Sequence, residues 1–543
     1  MQKSPSVLSA ARSLLRAGYG LAVGGDEDSE ARTAFASLPA GSFVTLYADA
    51  TEPYSGDDVW CCMSNGQYDS STDAWHNVIE SAGICRGDDP RRTTFEPQAV
   101  EVTLLSPKPW RLIRDYAREL SRDRHRAISV TVDGRRSAIY LPSVWNEHRE
   151  WSASELRRQL VLKALRLREG TPEARAALAT AQVQVYEIDA VDFGPLSVAE
   201  LSRDTVEVPI SGAEVSQFGR RVLTHVLASA LLQRASGFYA RYASPEGVLA
   251  YSVARGQPQY RSGSLVRSWA DLGTFVRMAR ALGLGRLAPA EGQKPLTLDE
   301  WIDANARAMA TASQASRLPL TSPSDAPQEA VAELGCWQDV GSRETRQAEL
   351  ARTVLRARST ESPDASFLAP QAALVLARSA LLHPSPDSLG AIKEAWSRYA
   401  AGALGGGARG TRDACETNHG FASNWISQAL AAGVTARLVE SARVGGSGAA
   451  DILGGTGRDA VRRSTSVTET ACAWDGLLAL FGPGVAEDET GARMLERTLL
   501  EWERLQSHWG TGGFRYRASD GDEYRTDVTS HVVSVLLRLT EIS

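Results

Sequence analysis

Up to about residue 195 the hydrophobic pattern switches between two periods. Four runs, Phe43–Tyr47, Ala99–Leu105, Ala127–Val132 and Ala181–Ile188, are rich in β-branched residues and alternate at period two, which predicts strands. The Asp133-Gly134 pair after the third run predicts a hairpin that returns towards Tyr140, because both residues tolerate the left-handed backbone of a tight turn. Apolar positions recurring every three to four residues predict helices over Ser6–Ala17, Asp73–Ala82, Trp110–Leu120 and Ser154–Leu167. The last of these follows Ser152 and Glu155, spaced as in a capping box.

Beyond about residue 205 period two nearly disappears. Helical periodicity fits Glu214–Ala235, Ser264–Leu282, Leu298–Ala315, Thr345–Arg358, Pro370–Leu382, Ser388–Ala401, Gly420–Ala432, Ser466–Leu480, Thr490–His508 and Thr526–Thr540. The chain therefore reads as an α/β (α+β) domain over 1–195 and an all-α domain over 205–543, with the break near Asp192–Ser202. The Leu318–Gln328 stretch, rich in Ser and Pro, reads as an internal loop. The glycine clusters Gly402–Gly410 and Gly445–Gly457 also read as loops, since neither follows a strand or ends as a phosphate loop does. A weak repeat pairs glycine with an aromatic residue at Gly237-Phe238, Gly420-Phe421 and Gly512 to Phe514. Helical hairpins that cannot bury their apolar faces alone bury them by stacking around a ring, so the repeat predicts an α/α toroid. An irregular helical bundle is the alternative.

Composition narrows the function classes. The chain has 543 residues, with 59 basic against 65 acidic side chains and a net charge of −6. A dominant nucleic-acid or anionic-membrane surface does not fit that balance. Arg111–Arg126 is basic but interrupted by Asp115, Glu119 and Asp123, and reads as a solvated helix face. No apolar run reaches the length of a membrane span, and the first residues lack the apolar core and cleavage site of a secretion signal. The six cysteines show no CxxC spacing and are too few for a disulfide framework in so long a chain. A reducing cytoplasm is the expected location.

Several motifs of the first domain come in a telling order. Phe43–Tyr47, Val59–Ser64, Asp89–Arg91, Val100–Pro107 and Gly134–Val144, closed by the Gln182–Tyr186 strand, resemble successive motifs of the AMMECR1 family. The best matches are Val100–Pro107, similar to the family's E-V-S-V-L-S-P strand, and the stretch ending in Leu141–Trp145. The family's R-G-C-I-G signature is replaced here by Trp60–Ser64, which keeps only its cysteine, as Cys62. The resemblance covers about residues 5–192 and implies a mixed α/β fold, but no assigned reaction. The second domain is generally similar to α/α toroids of the terpene-cyclase, prenyltransferase and six-hairpin glycan-processing kinds, without matching catalytic motifs.

Candidate chemistry falls in both domains. Cys61 and Cys62 are adjacent on a strand, so their side chains take opposite faces and do not readily bridge. Either thiol is a nucleophile if a neighbour lowers its pKa, or a small buried hydrophobe if none does. The catalytic candidates here are Cys62, with His76 or Arg91 as the neighbouring cation and Glu101 as a proton acceptor. In the second domain Glu416 and Asp527 form a candidate general acid/base pair at helix starts. Tyr239, Trp269, His419, Trp425, Trp474, Tyr516 and His531 are candidate substrate contacts, although caps and core packing explain the same residue types. Cys472 and His531 suggest a metal, but Thr470 stands where a third ligand is needed, so no metal site is assigned.

Two expectations follow. The chain is an enzyme of specialised metabolism or biosynthesis acting on a small molecule, peptide, isoprenoid or glycan, in the toroid cavity or the Cys62 cleft. The alternative is a non-catalytic scaffold or regulator that binds a protein partner. No cofactor is named by the sequence.

Overall fold

A computed structural model of the chain describes residues 1, 3–21, 26–49, 59–63, 73–86, 96–115, 118, 126–148, 150–203, 206–214, 216–241, 249–250, 252–259, 265–287, 296–316, 325–341, 344–358, 368–382, 419–435, 457–486, 488–506 and 512–541. At some of these positions, 59–63 and 419–423 among them, only the backbone is described. The chain forms two compact units, Met1–Ala230 and Leu231–Ile542, the division falling inside a long helix.

The first unit opens with α1 (Pro5–Tyr19), α2 (Asp26–Ala36), β1 (Gly41–Tyr47), β2 (Val59–Met63), α3 (Ala74–Arg86), β3 (Ala99–Leu105), β4 (Arg111–Ile113), β5 (Ala127–Val132) and β6 (Arg136–Tyr140). It continues with α4 (Pro142–Glu147), α5 (Ala153–Leu165), α6 (Pro172–Thr180), β7 (Val183–Ile188), β8 (Ala190–Ser197), α7 (Val198–Leu201) and β9 (Ile210–Ser211), followed by the long helix α8 (Gln217–Arg241). One antiparallel sheet runs β2-β1-β3-β8-β9 and another β4-β7-β5-β6. Val44 and Val102 pair across β1 and β3, and α1 brings Gly18 so close that a Cβ there would lie 2.7 Å from Val102. On the second sheet Leu156, Leu160 and Val161 of α5 pack on Ile128, Val130, Val132 and Val185. Each large side chain so buried stabilises the fold by about 1.5–3 kcal/mol.

The Asp133-Gly134 hairpin forms, with both residues at positive φ (52° and 67°) and Val132 opposite Arg136. Ser152 caps α5 by accepting from Glu155 N at 3.1 Å, but the Glu155 carboxylate turns to Arg158 and leaves the box half made. Of the helix expected over Trp110–Leu120, Arg118 is helical among the described residues, but the first part of the range is not. Arg111–Ile113 is a strand on the edge of the second sheet instead, because Arg111 reaches Glu187 across the ladder and Ile113 enters the core. Cys85 is disulfide-bonded, so the cysteines are not all free thiols as the sequence suggested.

The second unit holds β10 (Ser252–Ala254), β11 (Gln257–Gln259), α9 (Leu265–Ala281), β12 (Arg286–Leu287), β13 (Leu296–Thr297), α10 (Leu298–Ser316), α11 (Asp325–Val340), α12 (Glu344–Arg358) and α13 (Leu368–Leu382). Then come α14 (His419–Thr435), α15 (Val467–Phe481), α16 (Glu489–Leu505), β14 (Glu523–Arg525) and α17 (Thr526–Glu541). Among the described residues six helices close a ring: α9 touches α11, α11 touches α13, and the series runs through α14, α15 and α17 back to α9. Helices α10 and α12 alternate with ring members in sequence and pack against them, as expected for paired helices in a toroid.

Three details depart from the sequence pattern. Gly237-Phe238 lies in the last turns of α8 rather than in a loop, with Phe238 and Tyr239 fully buried. Helix α11 begins inside the stretch read as a loop; Pro327 sits in its first turn, where no backbone donor is lost, and Gly335 fits beside Val375. The helix expected over Ser388–Ala401 and the two glycine clusters, Gly457 apart, lie outside the described residues.

Candidate functional site

In the first unit, β2 and β3 flank β1, and Thr45 lies opposite both Cys61 and Glu101 while Val44 lies opposite Cys62 and Val102. Glu101 is buried and accepts from the Tyr47 hydroxyl at 3.3 Å. His76 stands exposed in the first turn of α3, where its Nδ1 meets the Asp73 carboxylate at 2.6 Å. Arg91 and the Cys62 side chain lie outside the description, so no geometry joins these four candidates.

The second unit concentrates its polar side chains on the ring helices. On α17, Asp527, Ser530, His531, Ser534 and Arg538 recur every three to four residues, and the positions between them are buried valines and leucines apart from the buried Thr529. On α9 the matching stripe is Arg267, Asp271, Thr274 and Arg277. A helix apolar except for one polar stripe, packed on all sides, turns that stripe to a polar interior.

The two stripes meet at the amino-terminal halves of α9 and α17. Tyr239 Oη lies 2.5 Å from Ser530 Oγ, and Ser530 donates to Asp271 Oδ1 at 2.5 Å. Burial, reinforced by the negative charge of Asp527, pushes the Asp271 carboxyl up to about 8 against the opposing Ser530 hydrogen bond. Asp271 therefore carries its proton at neutral pH. Asp527 takes a bidentate grip from Arg525 at 3.0 and 2.6 Å, with Arg267 at 3.8 Å. Burial also raises the Tyr239 phenol, with Asp271 adding to the effect.

Beside this group Cys472 Sγ lies 3.4 Å from His531 Nδ1. Burial raises the thiol and lowers the imidazole, so the pair is neutral and the thiolate form is disfavoured. Among the described residues no three His, Cys, Asp or Glu side chains are placed to hold a metal ion.

Further along the ring helices, polar contacts close a belt that touches all six. Arg277 on α9 faces Asp339 on α11 at 3.5 Å and donates to Ser534 on α17 at 2.9 Å. Arg378 on α13 bridges Asp339 at 3.2 Å and Gln428 on α14 at 3.2 Å. Gln428 donates to Asp475 on α15 at 2.8 Å and accepts from Arg538 at 3.0 Å, while Arg538 also pairs with Asp475. Burial would raise Asp475, but the Arg538 guanidinium overcomes it and holds the carboxyl below its ordinary range.

The remaining predicted residues are dispersed. Trp269 packs 5.7 Å from Trp337, and Trp474 donates to Thr498 on α16 at 3.0 Å, both fully buried. Trp425 is half-buried on α14. Tyr516 carries Arg525 4.9 Å over its ring and accepts from Val467 N through its carbonyl. His419 begins α14 with its side chain undescribed, and Glu416, the partner expected for Asp527, lies outside the described residues. Sequence reasoning passed over Asp271, Ser530, Arg277, Asp339, Arg378, Gln428 and Arg538; the polar stripes on α9 and α17 were the signal available for most of them.

No protein-family model matches the chain, and no curated protein does. Among solved structures, the uncharacterized protein PH0010 from Pyrococcus horikoshii is similar to it at 21% identity, with 36% of this chain and 93% of that chain covered and a TM-score of 0.25.

Proposed function

We propose that the chain is an enzyme that modifies a small molecule or peptide by general acid–base catalysis inside the helical ring. The observation that carries this reading is a buried Asp271, its carboxyl pushed up to about 8, near a second carboxyl group, Asp527, that Arg525 grips with two hydrogen bonds. Asp271 gives a proton to the reacting atom, and the Tyr239–Ser530 hydroxyl pair orients it. Asp527 accepts a proton or stabilises developing positive charge. A partner platform needs no such pair, so these residues count against the scaffold reading.

The first unit is read as an AMMECR1-like domain, on the order of its motifs. Strands β1 and β3 and the β5–β6 hairpin fall on the stretches that carry that resemblance. Among the described residues no helix is long and apolar enough to cross a membrane. Incubating the full chain with a metabolite extract and following masses that disappear tests the proposal. The expected result is turnover by the wild type that Asp271→Asn and Asp527→Asn both abolish while keeping native circular dichroism. Full turnover by both variants, or none by the wild type, overturns it.

A further inference from the structure

We infer that Arg277, Arg378 and Arg538 anchor an anionic group, carboxylate or phosphate, of the molecule that the helical ring accepts. The inference deepens the proposed function and rests on the ring being the substrate site. Three observations point the same way.

The first is placement. The belt of contacts through Arg277, Asp339, Arg378, Gln428, Asp475, Arg538 and Ser534 draws on every helix of the ring, so these side chains converge on its axis. Yet the three arginine side chains keep 29%, 25% and 25% of their surface accessible. Side chains enclosed by six helices and still reachable by water face an internal opening rather than a packed core.

The second is charge. Within the belt three guanidiniums face two carboxylates, Asp339 and Asp475. Glu541, which also acts on Arg538, is exposed at the end of α17, and it is matched by exposed Arg280, which donates to the Asp339 carbonyl at 3.2 Å. Burial pushes Arg378 down, with Asp339 and Asp475 opposing the effect and Arg277 and Arg538 adding to it.

The third is hydrogen-bonding capacity. Each guanidinium offers five N–H groups in a planar fork that matches carboxylate or phosphate oxygens. Among the described residues Arg378 and Arg538 direct two N–H groups each to partners, and Arg277 directs its Nη2 to Ser534 and Thr274. Donors left over in a positively charged enclosure suit a bidentate oxyanion.

The fold also sets a length. Arg277 follows Asp271 by six residues on α9, a rise of about 9 Å at 1.5 Å per residue. The ligand class is therefore an elongated molecule whose anionic end lies further along the ring helices than the atom that receives the proton.

Inorganic phosphate and acetate serve as probes on the full-length protein, with chloride at equal ionic strength as the reference. The expected result is a saturable rise in unfolding midpoint with phosphate, lost in Arg378→Gln and Arg277→Gln and kept in Arg497→Gln, an exposed arginine of α16. A parallel rise with acetate extends the class to carboxylates. Because variants within the belt are open to misfolding, phenylglyoxal modification of the wild type supplies a second measurement. Phosphate should slow modification of Arg277, Arg378 and Arg538, read by peptide mass mapping, and leave Arg497 unaffected. No saturable effect of either anion, or protection that spares these three arginines, overturns the inference. Anion binding without turnover in the extract assay would keep the anchor and discard the acid–base reading; turnover without anion binding would do the reverse.

Discussion

Ser530 on α17 donates its hydroxyl proton to Asp271 Oδ1 on α9 at 2.5 Å, and this one contact ties together two helices that lie far apart in sequence. Asp271 is fully enclosed, and its carboxyl sits near 8 instead of 3.8. Below about pH 4 folded and unfolded chains both hold this proton. Between about 4 and 8 only the folded chain keeps it, so this group makes stability fall as pH rises through that window, and above 8 its effect is constant. Asp271→Asn removes the titration and should flatten the decline, by at most about 6 kcal/mol across the window. Urea unfolding of the two proteins from pH 4 to 9 checks this; parallel curves would show that Asp271 is an ordinary carboxylate.

His225 gives the opposite slope in the first unit. Its ring is buried with Nε2 2.9 Å from both the Ala34 carbonyl and Ser37 Oγ, and burial lowers its pKa to about 4. A base held neutral by folding supports stability above its ordinary 6.5, and that support is lost as pH falls from 6.5 to 4. The loss should approach about 3 kcal/mol at pH 4. His225→Gln keeps an N–H donor and cannot titrate, so it should unfold with the same urea midpoint at pH 7 and pH 4.5 apart from changes shared with the wild type. An acid-induced drop of equal size in both proteins would remove His225 as its source.

How much of this was legible beforehand depends on where the deciding information lies. The strands Ala99–Leu105 and Ala127–Val132 were readable because period two and β-branching agree there. Helix α17 was readable from its apolar face, with Asp527 in its first turn and Arg538 in its last. Arg111–Ile113 was not, since its strand character comes from pairing with β7, more than seventy residues later in the chain. Helix α11 was hidden by Pro327 and Gly335, which are breakers in isolation and harmless at a first turn and beside a neighbouring helix. The acid pair was half legible. Asp527 stands out at a helix start, but Asp271 lies mid-helix and gains its character from burial, which the packing of other helices imposes.

Gly512 is required by two constraints at once. Its φ is +66°, and a Cβ there would stand 1.7 Å from the carbonyl oxygen of Arg234, a backbone atom that cannot rotate away. Gly512→Ala should therefore cost about 2–4 kcal/mol through strain and a forced shift of α8 against the turn. Gly521→Ala is the comparison: its φ is +59° but nothing lies within 4 Å of the added carbon, so about 1 kcal/mol is expected. Chemical denaturation of both variants checks the ranking, and equal costs would mean that the close approach to Arg234 relaxes freely.

Asp475 and Arg538 test what the belt contributes to stability apart from any ligand. The carboxylate pairs with Arg538 and also accepts from Gln428 at 2.8 Å and Asn424 at 3.4 Å, so its removal takes from the guanidinium its nearest anion. Asp475→Asn should destabilise the helical unit by about 3–5 kcal/mol, the penalty of an enclosed charge without its partner. Replacing both groups removes that penalty, and Asp475→Asn combined with Arg538→Met should recover at least half of the loss, since Met fills much of the vacated volume without charge. Urea denaturation at pH 7 of the two single variants and the double variant closes the cycle. Additive losses would mean that each residue stabilises through separate contacts, and that the pair is not the element joining α15 to α17.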